Sequence, residues 1–183
     1  VRSAGLRIVG VLGGIGSGKS TVARALAEAD AGLAWDADAA VGALLQDPQV
    51  LADLDLAAGG PIRTAAGSLD RAALAARIFQ DAAARRRVEG VLHPRVRADL
   101  WQRLAHWEEQ HPGGLAVLDV PLLLEGGLDA VCDRLVFVDT PDADRCARAL
   151  RRHPWSRADW AQREAAQAPL ARKRARADVI LPN

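Results

Sequence analysis

Short apolar runs alternate with longer amphipathic segments along this chain of 183 residues. The mostly apolar runs are typical of strands buried on both faces of a parallel sheet, and they lie at 6–12, 33–35, 115–120, 135–138 and 179–181. Segments with helical periodicity separate these runs. The pattern therefore predicts a three-layer α/β fold, with helices on both faces of a parallel sheet.

The predicted helices give the domain organisation. We expect them at 20–28, 39–58 with a break at Pro48, from 68 onward with Asp70 as N-cap, 81–92, 95–110, 142–152 and 156–167. The helix that ends at 92 should stop before His93-Pro94, and Ser156 with Asp159 resembles a capping box. The helices of 68–112 come without strands, so they form an inserted helical subdomain within one domain, whose core spans 6–67 and 113–183.

Composition excludes some classes of protein. The formal net charge is +1, Cys132 and Cys146 have no metal-binding or C-x-x-C spacing, and no apolar run approaches the length of a membrane span. We therefore expect a soluble, cytoplasmic, monomeric protein with no nucleic-acid or membrane partner. The basic run at 172–176 has no interleaved aromatic residues, so a solvated or nucleotide-facing stretch is favoured over a nucleic-acid contact.

The first apolar run leads into Gly-Gly-Ile-Gly-Ser-Gly-Lys-Ser at 13–20, which fits the phosphate-binding P-loop pattern G-x-x-x-x-G-K-[ST]. Glycines allow successive backbone N–H groups to face phosphate oxygens, Lys19 can reach the β and γ phosphates, and Ser20 can ligate Mg²⁺. A glycine-rich turn with an incidental lysine is disfavoured by the strand before it and the helix after it. Lys19 is also one of only two lysines in an arginine-rich chain. The pattern predicts binding of a nucleoside triphosphate.

Acidic side chains follow two of the predicted strands. Asp36 and Asp38 follow the second strand, and Asp119 closes the third. The carboxyl edge of a parallel sheet is where ligands bind, so Asp38 is suitably placed to act as a general base, although a helix cap is the alternative. Asp36 is interpreted as structural or as a water-mediated Mg²⁺ contact. Asp119 could hold a Mg²⁺-bound water or cap a loop.

Other P-loop classes fit the sequence poorly. The only asparagine is Asn183, so the N-K-x-D motif of GTPases is absent, and Lys19 occupies the last position of a would-be G-x-G-x-x-G motif. Asp119 is followed by Val120 rather than by the second acid usual in ATPase motors. Among the P-loop classes, a small phosphotransferase fits the sequence best.

The chain resembles the dephospho-coenzyme A kinase family, P-loop kinases related to the nucleoside monophosphate kinases. The resemblance runs from about 8 to 183 and rests on the order and spacing of several motifs. They are the P-loop, Asp-Ala-Asp at 36–38, Leu-Asp-Arg at 69–71, Leu-His-Pro at 92–94, Pro-Leu-Leu-Leu-Glu at 121–125, Arg148 with Arg152, Gln167, and Ala-Asp-Val-Ile-Leu-Pro-Asn at 177–183.

The resemblance implies an enzyme that phosphorylates the ribose 3′-hydroxyl of dephospho-CoA, the last step of coenzyme A synthesis, with ATP and Mg²⁺ as cofactors. Another small-acceptor P-loop kinase, of the nucleoside monophosphate type, and a non-catalytic nucleotide-binding module are the alternatives. The resemblance also implies that 68–112 binds the CoA moiety and that 152–167 forms a short lid that excludes water.

The resemblance assigns roles to individual residues. The catalytic residues would be Asp38 as general base, Lys19, Arg148 and Arg152. The two arginines share a helix face and would stabilise charge on the transferred group, whereas a solvated basic face is the alternative. The nucleotide-binding residues would be Gly14, Ile15, Gly16, Ser17, Gly18, Lys19, Ser20, Thr21 and Asn183.

The acceptor-binding residues implied by the resemblance are Arg71, His93, Pro121, Leu122 and Glu125. Arg71 has the alternative of pairing with Asp70, His93 that of a helix stop, and the individual role of Glu125 stays open.

Overall fold

The computed structural model describes residues 5–183, and its strands form one five-stranded parallel sheet. The strands are β1 (Arg7–Leu12), β2 (Leu33–Asp36), β3 (Leu115–Asp119), β4 (Arg134–Asp139) and β5 (Val179–Pro182). Their order is β2-β3-β1-β4-β5, so β1 lies at the centre and the strand order reverses at its carboxyl end. Ligands bind at such switch points in open α/β sheets, and the glycine-rich loop begins there. The predicted strands and the α/β fold are confirmed.

The part of the chain that the structure describes also forms eight helices. They are α1 (Lys19–Ala29), α2 (Ala37–Leu44), α3 (Pro48–Ala57), α4 (Arg71–Gln80), α5 (Ala82–Gln110), α6 (Asp142–Arg152), α7 (Arg157–Ala165) and α8 (Leu170–Arg176), with a 3₁₀ turn at Leu128–Val131. Both predicted caps are confirmed. Asp70 accepts from the N–H groups of Ala72 and Ala73, and Ser156 with Asp159 forms a reciprocal capping box.

The predicted break before Pro94 is wrong, because α5 is one helix of 29 residues that contains this proline. Proline lacks the N–H group that would bond the carbonyl of Gly90, one turn earlier. Gly90 has no Cβ to add to the crowding there, and Arg95 donates through Nη1 to the Val91 carbonyl in the same region at 2.8 Å. These features make the interruption tolerable. No helix between residues 5 and 183 is both long enough and apolar enough to span a membrane.

The basic run at 172–176 forms most of a helix that the sequence did not predict, α8. Three of its charges have partners within the protein, but only one of the three is withdrawn from solvent. Lys173 is buried, Arg174 pairs with Asp139, and Arg176 pairs with Asp129 at 3.3 Å. The interpretation of this run as solvated is therefore wrong for Lys173, whereas Arg174 and Arg176 are exposed as expected.

The chain divides into two compact units, 1–36 with 104–183, and 37–103. The second unit begins at Ala37 rather than at the predicted residue 68, because α2 and α3 share an apolar core with the later helices. That core is formed by side chains less than 9% exposed: Leu45, Val50, Leu51, Leu54, Ala57, Ala58, Ile62 and Val88. The first unit contains the sheet, and Val11, Val117 and Val138 pack against Ala23 and Ala27 of α1.

The core of the second unit gives a matched test within α3. Leu54 is fully buried, whereas Leu56 is 81% exposed. Leu54→Ala should lower the free energy of unfolding by about 2–5 kcal/mol, because it removes buried methyl groups and leaves a cavity. Leu56→Ala should change it by less than about 0.5 kcal/mol. Urea unfolding followed by circular dichroism checks both. Equal effects of the two variants would contradict the assignment of this core.

Candidate functional site

The loop after β1 turns tightly on glycines whose conformations suit no other residue. Gly16 and Gly18 have φ angles of 83° and 91°, in the left-handed region. A Cβ at Gly16 would lie 2.2 Å from the carbonyl oxygen of Arg145, so space as well as conformation excludes a side chain. The Ser17 N–H donates to the Gly14 carbonyl at 3.2 Å and closes the turn. The loop therefore has a compact shape that depends on its glycines.

The same loop ends at the start of α1. Gly18 is its N-cap, so no side chain caps the helix, and no acidic residue lies in the first turn. The first backbone N–H groups of a helix have no partner within the helix and carry the positive end of its dipole. Lys19, Ser20 and Thr21 occupy this first turn. Helix starts of this kind bind phosphate in other proteins.

Lys19 folds back over the loop, where its Nζ donates to the Gly14 carbonyl at 3.0 Å. Burial lowers the pKa of Lys19 from its ordinary value, and the charge of Asp119 partly opposes that effect. Lys173 lowers the pKa further, and Glu164 raises it. The ammonium group is thus held in a poorly solvated place, where an added anion would stabilise its charged form.

Two polar side chains hold the middle of the loop from the sheet. The Ser17 carbonyl accepts from Thr140 Oγ1 at 3.0 Å and from Asn183 Nδ2 at 2.8 Å. Asn183 is held in turn by its own N–H, which donates to the Asp139 carbonyl at 2.9 Å. Asn183, which was expected from the resemblance, therefore lies at the loop, and Thr140 joins it.

Helix α6 brings arginines to the loop, but not in the expected pattern. Arg148 is half-buried, and its Nη1 lies 3.7 Å from where a Cβ of Gly18 would be. Arg152 lies one turn further along α6 and is exposed. Arg145 is only 1% exposed, and it contacts the loop at Gly14 and Ile15. Helix α6 thus supplies a buried arginine that the sequence did not single out.

Two carboxylates, Asp36 and Asp119, end neighbouring strands at the carboxyl edge of the sheet. Asp119 is 7% exposed and pairs in register with Val11 of β1 and with Asp36 of β2. Asp38 is exposed in the first turn of α2, which begins at Ala37, so it is not the helix N-cap. An acid in a first helical turn still interacts favourably with the helix dipole.

The predicted acceptor residues occupy different elements. Arg71 is exposed in the first turn of α4, and His93 is exposed in the middle of α5 rather than at a helix end. Pro121, Leu122 and Glu125 lie in the turn after β3. Glu125 Oε1 accepts from the Ala168 N–H at 2.6 Å and lies 3.7 Å from Nζ of Lys173. The carboxylate of Glu125 thus contacts the connection between α7 and α8.

The chain is similar to known proteins along nearly its whole length. The family model described as dephospho-CoA kinase (CoaE) matches residues 7–183. This chain belongs to the dephospho-CoA kinase family. A dephospho-CoA kinase of Deinococcus radiodurans is 41% identical over 184 residues, which cover 97% of this chain and 84% of the relative. One from Anaeromyxobacter dehalogenans is 41% identical over 180 residues, with the same coverage.

Solved structures support the fold of the family member described here. TT1252 from Thermus thermophilus superposes with a TM-score of 0.82 at 33% identity, covering 98% of this chain and 89% of that one. A dephospho-CoA kinase from Campylobacter jejuni gives a TM-score of 0.67 at 19% identity, covering 97% and 88%. The second likeness concerns the fold alone.

Sequence reasoning missed four residues that the structure brings to the loop or its surroundings: Thr140, Arg145, Glu164 and Lys173. Their contacts join segments far apart in the chain, which local patterns do not reveal. The sequence did indicate a special role for Lys173, because it is the second of only two lysines in the chain. A lysine in an arginine-rich chain indicates a position that requires an ammonium rather than a guanidinium group, and this argument applies to Lys173 as it does to Lys19.

The loop geometry predicts a large effect from one added methyl group. Gly16→Ala should abolish detectable ATP binding, because the Cβ would collide with the Arg145 carbonyl in a left-handed conformation. Gly42→Ala is the matched control, since a Cβ there meets nothing within 4 Å in α2. Fluorescence titration with a labelled ATP analogue measures both. Wild-type affinity in Gly16→Ala would contradict the described loop.

Proposed function

We propose that this chain transfers the γ-phosphoryl group of ATP to the ribose 3′-hydroxyl of dephospho-CoA, giving coenzyme A and ADP. The observation that carries the proposal is the formed P-loop, with Lys19 folded over it and Arg148 beside Gly18, in a member of the dephospho-CoA kinase family. Phosphoryl transfer requires positioning and charge stabilisation rather than covalent catalysis, and these features supply both.

ATP would bind with its phosphates against the N–H groups of the loop and of the first turn of α1. The lysine would leave the Gly14 carbonyl for phosphate oxygens, which stabilise its charged form. Arg148 would neutralise charge that develops on the transferred group, since a guanidinium matches two oxygens at once. Arg152 is exposed one turn further along α6, and we propose that it approaches the phosphates when ATP is bound.

Mg²⁺ fits the donors available at this edge of the sheet, which are hydroxyl and carboxylate oxygens. Ser20 in the first turn of α1 would bind the metal directly, and Asp119 would hold it through water. When bound, the metal neutralises charge on the β and γ phosphates. The burial of Asp119, at 7% exposure, is consistent with a carboxylate that faces a cation rather than bulk water.

Asp38 would accept the proton of the 3′-hydroxyl group. Asp38 is exposed and follows the last residue of β2 by two positions, and ligands bind at the carboxyl ends of such strands. Within the first turn of α2 it is held by a helix rather than by a free loop, which favours a defined position for a base.

The acceptor would be bound by the remaining predicted residues. Arg71 and His93 are exposed on α4 and α5 of the second unit, where they are available to a phosphate-bearing ligand. Pro121 and Leu122 would present an apolar surface after β3, and Glu125 would position the same turn. Helix α7, within the predicted lid of 152–167, would exclude water from the transferred phosphoryl group.

Two other functions predict different acceptors. A nucleoside monophosphate kinase would release ADP with AMP as acceptor, whereas a non-catalytic nucleotide-binding module would bind ATP and release none with either compound. ADP release should be measured with ATP and Mg²⁺ in the presence of dephospho-CoA, AMP or no acceptor. We expect turnover with dephospho-CoA alone. Turnover with AMP would instead indicate a nucleoside monophosphate kinase. ATP binding without turnover would indicate a non-catalytic nucleotide-binding module.

The base assignment has its own test. Asp38→Asn should lower kcat by roughly two to four orders of magnitude, because the amide accepts no proton, while the affinity for ATP stays near normal. Asp144→Asn is the control, since it also removes an exposed acid from a first helical turn. Steady-state kinetics and ATP titration measure both quantities. A kcat for Asp38→Asn close to that of the control would remove Asp38 as the base.

A further inference from the structure

A buried ion pair connects helix α7 with helix α6 beside the P-loop. Arg145 of α6 donates through Nη1 to Glu164 Oε1 of α7 at 2.7 Å, and their side chains are only 2% and 17% exposed. The second guanidinium nitrogen, Nη2, donates to Asp142 Oδ1 at 2.7 Å. Arg145 also lies over the ring of Trp160, 5.3 Å from its centroid. A guanidinium in this position is held by several partners.

The pair holds both backbone polar groups of one P-loop residue. The Ile15 N–H donates to Glu164 Oε2 at 2.9 Å. The Ile15 carbonyl accepts from Arg145 Nη1 and from Trp160 Nε1, each at 3.4 Å. Three side chains from two helices therefore fix the peptide groups on either side of Ile15. The shape of this part of the loop depends on those helices as well as on its own sequence.

The pair also packs directly on the neighbouring glycine. A Cβ at Gly14 would lie 2.0 Å from Arg145 Nη1 and 2.5 Å from Glu164 Oε1. Since Gly14 has no positive φ within the described loop, space rather than backbone conformation is what requires glycine there. The ion pair thus occupies the volume that a side chain would fill.

The two charges of the pair act on Lys19 in opposite directions. Glu164 raises the pKa of Lys19, and Arg145 lowers it. A lone carboxylate at this position would repel phosphate, and a lone guanidinium would repel the lysine. Because the two charges are paired, charged hydrogen bonds hold the loop while each charge has an opposite charge beside it.

We infer that Arg145 and Glu164 are positioning residues, which fix the Gly14–Gly16 turn in its phosphate-binding shape and tie helix α7 to it. Neither residue needs to touch the phosphates for this role. The binding of ATP and the position of α7 then depend on the same pair, so a change at Glu164 alters ATP affinity from outside the loop. The inference rests on the proposed ATP binding and is tested without phosphoryl transfer.

The dissociation constant for ATP, measured by calorimetry without acceptor, tests the inference. Glu164→Ala should raise it about tenfold or more, and Glu164→Gln, which keeps an oxygen for the Ile15 N–H, should raise it less. Gln162→Ala, on the exposed surface of α7, is the control and should match the wild type. In the double variant with Arg145→Ala, the effects should be smaller than the product of the single ones, as expected for residues that act as a pair.

Hydrogen exchange of the free protein separates this role from a general loss of stability. Glu164→Gln, the least disruptive variant, should speed amide exchange in residues 13–18 and 157–165 while leaving the α1 and β3 peptides unchanged. ATP dissociation constants within twofold of the wild type in every Glu164 variant, or faster exchange throughout the chain, would overturn the inference. Failure of the wild type to bind ATP would instead overturn the proposed function.

Discussion

The P-loop gathers cationic side chains in a place with little water, and the surrounding structure compensates for them. Burial lowers the pKa of both Lys19 and Lys173, while Arg145 is 1% exposed. Carboxylates from three separate segments oppose this cost: Asp119 at the end of β3, Glu125 in the next turn, and Glu164 on α7. A bound triphosphate would add the negative charge that this arrangement favours. A site whose dipoles and charges are oriented before the ligand arrives needs little reorganisation during the reaction.

The parallel sheet explains why these groups meet at one edge. Strand β1 is central and is followed by the loop, so the carboxyl ends of β3 and β4 lie on either side of it. That placement brings Asp119 near Lys19 from one neighbour and Thr140 to the loop from the other. The chain then continues through α6, α7 and α8, which supply Arg145, Glu164 and Lys173. The sheet sets the position of the loop, and the later helices set its environment.

Features that depend on local sequence were predictable. The strands, the P-loop and the caps at Asp70 and Ser156 follow from hydrophobic pattern, glycine spacing and side-chain acceptors next to helix starts. The predicted break at Pro94 was wrong. Proline usually ends a helix, and no local sequence feature indicated that this helix continues through it. Helix α8 and the burial of Lys173 were missed, because the acidic partners of its basic residues, Asp139, Asp129 and Glu125, lie at least 35 residues away in the chain. Burial of charge by distant partners leaves no periodic pattern.

The most direct test of the account is the fate of the transferred phosphoryl group. The purified chain should be incubated with Mg²⁺, dephospho-CoA and ATP labelled with ¹⁸O in the γ position, and the products should be analysed by mass spectrometry and phosphorus NMR. The account predicts labelled phosphate on the ribose 3′-oxygen of newly formed coenzyme A, in an amount equal to the ADP. Label in inorganic phosphate, or on another position of the acceptor, would contradict it.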